Sequence, residues 1–505
     1  MTSEVQAPRT GPSATLSLCD ADLGLATDLY QLTMAAAYHG WRRDEGGEPA
    51  TATFDLWIRR LPELRRFLVF AGLEQALASL GALSFDAERI AWLRRQPPFT
   101  GIDEGFFELL ADFRFRGDVR AMAEGTVFHP GEPVLSVTGN LIEAQLVETL
   151  LLSIVNFQTA IASKAARLRL AGGDPESGGV LLAEFGSRRA HGPQAAVWAA
   201  RAAYLGGVDS TSNVAAGFLT GVPVVGTMAH SFVMAHAGEA DAFRRYQETF
   251  PDHTILLVDT YDTLRGVERA LATGGPFDGV RLDSGDLGEL ARGTRRLLDE
   301  GGRPDATIFA SGDMNEYRIA ELRAAGAPID AFGVGTQLAT SADAPYLSGV
   351  YKLVRVERGG HARLTFKASP GKETYPGEKQ VVRLLGEGGE GEDGEMVEDH
   401  LLRRADAAAF VEEQRKAGRR AVPMLATVMR GGEIVPPAER EHAGAGVGAG
   451  ESPLEAARRR CRRDLARLPT AARSLEARDD ATAYRVVVDA ALEAELHRLR
   501  QREEG

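Results

Sequence analysis

Cysteine is almost missing from this chain of 505 residues: only Cys19 and Cys461 occur, too few for a disulfide framework or a cysteine-rich zinc cluster. A basic excess is missing too, because 71 Asp and Glu outnumber 58 Lys and Arg and leave a formal net charge of −13. A nucleic-acid partner needs a basic face, so that class is excluded. No apolar run approaches the roughly 20 residues of a membrane span, and residues 1–16 hold no apolar signal core. These absences predict a cytoplasmic protein with no membrane partner. No HExxH occurs, and His230 and His236 stand six apart rather than four, which argues against zinc. Lysine is absent between Lys164 and Lys352. Schiff-base aldolases and pyridoxal phosphate enzymes need a lysine, typically at a strand end, so both chemistries are disfavoured.

What is present is regular. From Val180 onward short apolar runs recur at 180–185, 205–208, 222–225, 255–258, 280–282, 308–310 and 331–334, most of them separated by helical segments. Such alternation builds a parallel sheet, and with an eighth run at 350–354 it predicts an irregular (β/α) barrel. Upstream, a helix over 27–38, strands near 52–59, 114–123 and 133–137, and a long helix over 141–170 predict an α+β N-terminal domain. Strand-like alternation over 351–383 is expected to return to that domain. The chain then divides into a disordered 1–18, an α+β domain at 19–140 and a barrel at 141–355. Return strands and a helix follow at 356–442, then a flexible Ala/Gly insertion at 443–452 and a helical tail at 453–505. The acidic Gly-rich stretch 386–399 reads as a surface loop, and the arginines at 458–463 as the solvated face of a short helix.

The runs end in polar residues. They include Gly186-Ser187-Arg188-Arg189, Ser210-Thr211-Ser212-Asn213, Gly226-Thr227-Met228-Ala229-His230, Asp259-Thr260, Asp283-Ser284-Gly285-Asp286, Gly312-Asp313 and Gly333-Val334-Gly335-Thr336. In a parallel barrel these ends line one mouth. Arg281, inside a strand and two residues before Asp283, is costly to bury unless it meets an anion. It either holds an anionic substrate, with Asp283 on a sugar hydroxyl or metal ion, or forms a structural Arg–Asp pair. Gly-bearing turns at 312–313 and 333–336 offer backbone N–H groups to a phosphate, or merely turn the chain. His230 is either a neutral, nucleophilic imidazole near a helix start or a loop histidine of structural use. Arg, Asp, His, Thr and Gly without Lys suit a phosphorylated sugar and a dissociative, oxocarbenium-like transfer.

Several of these stretches are similar to the nicotinate phosphoribosyltransferase family: Thr27-Asp28-Leu29-Tyr30-Gln31, Glu184-Phe185-Gly186-Ser187-Arg188-Arg189, Ser212-Asn213-Val214, Gly226-Thr227-Met228-Ala229-His230-Ser231, Val280-Arg281-Leu282-Asp283-Ser284-Gly285-Asp286 and Phe332-Gly333-Val334-Gly335-Thr336. Together with Pro376-Gly377 and Lys379-Gln380-Val381 they cover roughly residues 22 to 435, and the resemblance resumes more faintly from Pro453. It implies a type II phosphoribosyltransferase fold, a homodimer with a shared active site, and transfer of phosphoribose from 5-phosphoribosyl 1-diphosphate to nicotinate, coupled to ATP hydrolysis with Mg2+. It implies a nicotinate site of Phe185, Arg188, Thr227 and Arg281 with Tyr30 of the partner subunit, and phosphorylation of His230. It assigns the phosphoribosyl group to Arg188, Gly312, Asp313, Gly333, Gly335 and Thr336, and magnesium or ribose to Asp259 and Asp283. Ser212, where nicotinamide-using relatives carry an Asp, favours the acid over the amide.

Overall fold

Apolar residues dominate Thr51–Ile58, and all but the first of its side chains are buried, so it forms a central rather than an edge strand. The computed structural model describes residues 19–44, 49–369, 373–386, 394–440, 448, 450–476 and 484–504. The expected disordered terminus at 1–18 and most of the 443–452 insertion lie outside them. Thr51–Ile58 sits inside a seven-stranded antiparallel sheet whose order is His361–Leu364, Gly349–Arg358, Thr51–Ile58, Pro133–Asn140, Asp118–Ala121, Ala426–Arg430, Glu433–Ile434. The return strands thus complete the N-terminal sheet. The run 350–354, expected as an eighth barrel strand, belongs here instead: Val350 pairs with Trp57 and Leu353 with Phe54. Tyr351 decides the placement, stacking on Phe54 at 4.8 Å and donating a buried hydrogen bond of 2.6 Å to the Ala144 carbonyl.

The second sheet is parallel throughout, in the order Ser210–Thr211, Leu181–Glu184, Ala331–Val334, Thr307–Ala310, Gly279–Leu282, Ile255–Leu257. Its first strand in the chain pairs with its last, so the sheet curls on itself. On the other side a single bridge joins Thr211 to Val224. Among the described residues no pairing carries the ladder from Val224 to Ile255, so the barrel has an open seam there. The helices His230–Met234 and Glu239–Thr249 fall in the chain between those two positions. The run 205–208 is not a strand: helix Pro193–Leu205 continues through Leu205, and the pairing residues are Ser210 and Thr211.

Alternation along these strands sorts the side chains. Leu182, Leu256, Val280, Leu282, Ile308, Ala310, Phe332 and Val334 are buried in the large core that includes the surrounding helices. Their alternates Ala183, Phe309 and Ala331, with Phe185, form a separate small cluster in the barrel interior. The two domains share the helical pair Leu141–Leu146 and Glu148–Gly172, started by Asn140, whose side chain accepts from the Ile142 N–H. By length and composition the stretch Leu141–Ser177 would cross a membrane, but 67% of its most apolar window is buried within the protein, so it serves as a packing spine.

A third sheet has the order Arg420–Pro423, Lys379–Leu385, Met396–Arg403, Val486–Val488. It corrects the last part of the expected loop at 386–399, of which 387–393 lie outside the described residues. Met396–Asp399 is strand, and Asp399 is fully buried, accepting from Arg383 Nε at 2.8 Å and Nη2 at 2.7 Å. Of the arginines at 458–463, Arg459 and Arg462 are solvated as expected, but the others differ. They lie in helix Pro453–Arg467, where Arg460 is buried and Arg458 donates to the Tyr204 carbonyl and to Asp209.

Candidate active site

The barrel interior narrows to an aromatic wall at its C-terminal mouth. Phe185 and Phe309 stack with centroids 5.4 Å apart and planes 14° from parallel. Gly333 lies against both rings: a Cβ there would stand 2.7 Å from Phe185 and 2.9 Å from Phe309, so no larger residue fits without displacing the wall. The loops after Leu181–Glu184 and Ala331–Val334 interlock in the same way, since a Cβ on Gly186 would meet the Gly335 carbonyl at 2.9 Å and one on Gly335 the Phe185 carbonyl at 3.3 Å. Gly335 then leads into the short helix Thr336–Ala339.

Arg281 is paired with Phe309 across the strands, which brings its guanidinium to the aromatic wall. Its Nη1 donates to Thr227 Oγ1 at 2.6 Å, while its Nε is buried with no hydrogen-bond partner. Burial lowers its pKa; Asp283 and Asp259 oppose that, and the positive charge of Arg188 adds to it. Two guanidinium groups therefore converge beside an apolar slot, one of them with an unspent N–H. A carboxylate or phosphate placed there removes a desolvation cost.

Opposite them, His230 opens the helix His230–Met234. Its Nε2 stands 3.7 Å from Asp283 Oδ2 and its Nδ1 3.2 Å from Thr260 Oγ1, and the ring is about a third exposed at 38%. Asp283 is held in turn: Ser311 Oγ donates to its Oδ1, and its backbone N–H donates to Asp259 Oδ2 at 3.0 Å. Ser284 Oγ donates to the same Asp259 oxygen at 2.7 Å, whereas Asp259 Oδ1 is buried with no hydrogen-bond partner. Gly312 has φ 94° and would put a Cβ against the Asp283 carbonyl; Asp313 follows with φ 46°. That pair, of which Asp313 alone is strained, turns the chain into Asn315, which caps helix Glu316–Ala324 by accepting from the N–H groups of Tyr317 and Arg318.

These contacts bring Phe185, Arg188, Thr227, His230, Asp259, Arg281, Asp283, Gly312, Gly333 and Gly335 together at one mouth, with Asp313 and Thr336 next in the chain to members of the set. Tyr30 lies elsewhere in its own chain. It begins helix Leu29–Asp44, is 48% exposed, and has its pKa raised by burial and by Glu148. Ser212 follows the second strand, its N–H donating to the Glu184 carbonyl at 2.9 Å.

Sequence reasoning missed four supporting residues. Phe309 makes half of the aromatic wall, and its signal was alternation in register with Arg281. Thr260 and Ser311 hold His230 and Asp283 from the loops after Ile255–Leu257 and Thr307–Ala310. Glu184 is buried, with its pKa pushed up by that burial; it accepts from Thr211 Oγ1 at 2.6 Å and from the Gly186 N–H, fixing the turn that carries Phe185. Among the described residues one trio, His129, Glu132 and Asp399, brings three candidate metal-ligand atoms within 4.8 Å of one another. Arg383 already neutralises Asp399 there, and burial together with the Asp399 charge pushes the Glu132 carboxyl well above its usual range.

Residues 25–156 match the model of the nicotinate phosphoribosyltransferase (NAPRTase) N-terminal domain, and residues 180–358 that of the nicotinate phosphoribosyltransferase (NAPRTase) family. A nicotinate phosphoribosyltransferase of Mycobacterium tuberculosis is 42% identical over 482 residues, covering 94% of this chain and 94% of its own. One from Bacillus subtilis is 44% identical over 387 residues, covering 75% and 76%. The crystal structure of human nicotinic acid phosphoribosyltransferase superposes with a TM-score of 0.74 at 30% identity, covering 94% of this chain and 99% of that one.

Proposed function

The chain belongs to the nicotinate phosphoribosyltransferase family, and from that premise we propose that it moves the phosphoribosyl group of 5-phosphoribosyl 1-diphosphate to the ring nitrogen of nicotinate. The products are nicotinate mononucleotide and diphosphate, the first step of NAD synthesis from nicotinate, and the setting is cytoplasmic. The observation that carries this reading is the half-buried Arg281, with its Nε buried and without a hydrogen bond, beside the Phe185–Phe309 wall. A planar pyridine acid needs an apolar face for its ring and a guanidinium for its carboxylate, and this mouth supplies both. The glycine-bearing turns at 312–313 and 333–336 take the ribose phosphate. Asp259 and Asp283 suit a magnesium ion shared with the diphosphate, since Asp259 Oδ1 has lone pairs to spare and Mg2+ is commonly held by one or two carboxylates plus phosphates. Such an ion would neutralise charge on the leaving diphosphate.

His230 receives the γ-phosphoryl group of ATP on Nε2: the N–P bond forms as the bond to ADP breaks. Asp283, 3.7 Å from that nitrogen, stabilises the cationic ring that results. A second copy of the chain completes the site with its Tyr30. The exposed apolar side chains of Val214 (72%), Phe218 (88%) and Leu219 (66%), on the helix after the second strand, support a covered face beside the mouth.

The test is an assay with nicotinate, nicotinamide and quinolinate in parallel, with and without ATP. Product is expected from nicotinate and more of it with ATP. His230→Ala is expected to keep basal transfer and lose the ATP stimulation. A His230→Ala enzyme running at the stimulated wild-type rate refutes the role of that imidazole; product from quinolinate or nicotinamide alone refutes the substrate. Ser212→Asp is expected to raise KM for nicotinate about tenfold or more, because a like charge is placed near the carboxylate. Unchanged kinetics would remove Ser212 from the specificity argument.

A further inference from the structure

Glu184 ends strand Leu181–Glu184 and is 1% exposed, yet the proposed transfer gives its carboxyl no task. Alternation puts it on the face of Leu182, behind the aromatic wall, while Phe185, next in the chain, packs in the barrel interior. A buried carboxyl is costly unless something pairs with it. Among the described residues no cation pairs with Glu184. Burial raises its pKa, and only the hydrogen bonds from the Thr211 hydroxyl and the Gly186 N–H oppose that.

A carboxyl offers two acceptor oxygens where an amide offers one. Oε1 takes the Gly186 N–H, and Oε2 takes the Thr211 hydroxyl at 2.6 Å. Thr211 is fully buried, and its oxygen accepts in turn from the Asn213 N–H at 3.0 Å. Asn213 then caps helix Val214–Thr220, accepting from the Ala216 N–H at 2.9 Å. Ser212, between Thr211 and Asn213, gives its own N–H to the Glu184 carbonyl. One residue thus holds both the turn that carries Phe185 and Arg188 and the loop that carries Ser212. The turn has no slack: a Cβ on Gly186 would stand 2.7 Å from Glu184 Oε1 and 2.3 Å from the Ala339 Cβ.

We propose that Glu184 is a positioning residue for the pyridine substrate: its carboxyl fixes the Phe185 turn against the Ser212 loop and so sets the width of the slot that receives the ring. This role rests on the nicotinate transfer proposed above and adds to it a side chain that touches no substrate. The glycine-bearing turns at 312–313 and 333–336 follow other strands. Loss of the carboxyl therefore weakens the hold on nicotinate more than the hold on 5-phosphoribosyl 1-diphosphate.

Steady-state kinetics and calorimetric binding of nicotinate to the full chain test the role. Glu184→Gln keeps the volume but leaves one buried donor without an acceptor. It is expected to raise KM for nicotinate about tenfold and KM for 5-phosphoribosyl 1-diphosphate less than about threefold. Thr211→Val, which loses the hydroxyl at nearly constant volume, is expected to match it, and Thr211→Ser to recover most of that loss. Glu184→Gln/Thr211→Val should be no worse than the larger single effect, because both changes break one relay. If Glu184→Gln does not fold, Thr211→Val against Thr211→Ser decides. An unchanged nicotinate KM in Glu184→Gln overturns the role. Equal rises in both KM values, the mark of general loosening, do so too, as does a Thr211→Ser enzyme as impaired as Thr211→Val. A wild-type chain that binds nicotinate without making product overturns the transfer and leaves the ratio of dissociation constants to decide Glu184; one that does neither overturns both.

Discussion

Arg281→Leu is expected to lower kcat/KM for nicotinate by about 100- to 1,000-fold, equivalent to about 3–4 kcal/mol of lost binding at the transition state. The size follows from where the guanidinium sits. It is half-buried, burial lowers its pKa against the opposing charges of Asp283 and Asp259, and its Nε has no hydrogen-bond partner in the protein, so a substrate carboxylate meets a donor not yet used. Removing a charge-assisted contact in such a place leaves a carboxylate desolvated against an apolar wall. The protein itself should fold, because exchanging a buried, poorly paired charge for an apolar group of similar size is near neutral or stabilising. Arg281→Lys is expected to recover little: a point charge on a flexible stem cannot both reach Thr227 and present a second donor to a carboxylate. Steady-state kinetics with nicotinate varied at saturating 5-phosphoribosyl 1-diphosphate decide it. A fall of less than tenfold in the leucine variant means that the carboxylate is held elsewhere.

How far this site could be read beforehand depended on local pattern. The runs at 255–258, 280–282, 308–310 and 331–334 form strands because β-branched and aromatic residues alternate there with flanking turns. Their loops announce themselves through charge and glycine, which is why Arg281, Asp283 and His230 stood out. The misreadings share a cause. A four-residue apolar run does not say which sheet it joins, so 350–354 was placed in the barrel although Tyr351 packs on Phe54 in the N-terminal sheet. At 205–208 only Leu205 is helical, the buried end of an Ala-rich helix, and the residues after it turn the chain towards Ser210–Thr211. Arg460 and Asp399 looked solvated because composition carries no information about partners distant in sequence. Arg383 and Asp399, 16 residues apart, neutralise each other only once their strands pair. Phe309 went unnoticed for a similar reason, as its importance lies in the ring it meets on another strand.

Long-range partners also set the second large effect. Lys164→Met is expected to destabilise the protein by about 3–5 kcal/mol, the usual cost of stripping one member from a buried ion network. Lys164 Nζ lies 2.5 Å from Glu316 Oε2 and 2.8 Å from Asp343 Oδ1, with both it and Glu316 out of contact with solvent. Arg167 Nε donates to Glu316 Oε1 at 2.9 Å, and Arg65 Nη2 to Asp343 Oδ1 at 3.0 Å. Glu316 starts the helix after strand Thr307–Ala310, Asp343 follows strand Ala331–Val334, Lys164 and Arg167 lie on the long helix, and Arg65 comes from the N-terminal domain. The network therefore fastens both glycine-bearing turns to the rest of the molecule. Burial alone would raise the pKa of Glu316 and of Asp343, yet the cations lower both below their usual 4.5 and 3.8. The sign is then fixed: the network contributes fully above those values and is lost as pH falls through the lower, folded ones. Urea unfolding should show a lower midpoint for Lys164→Met at pH 7 and a smaller difference from wild type near pH 3. Lys164→Met/Glu316→Leu should cost less than the sum of the single changes, since it removes opposite charges together. Additive losses, or a wild-type midpoint in Lys164→Met, would mean that the glycine turns are held by packing alone.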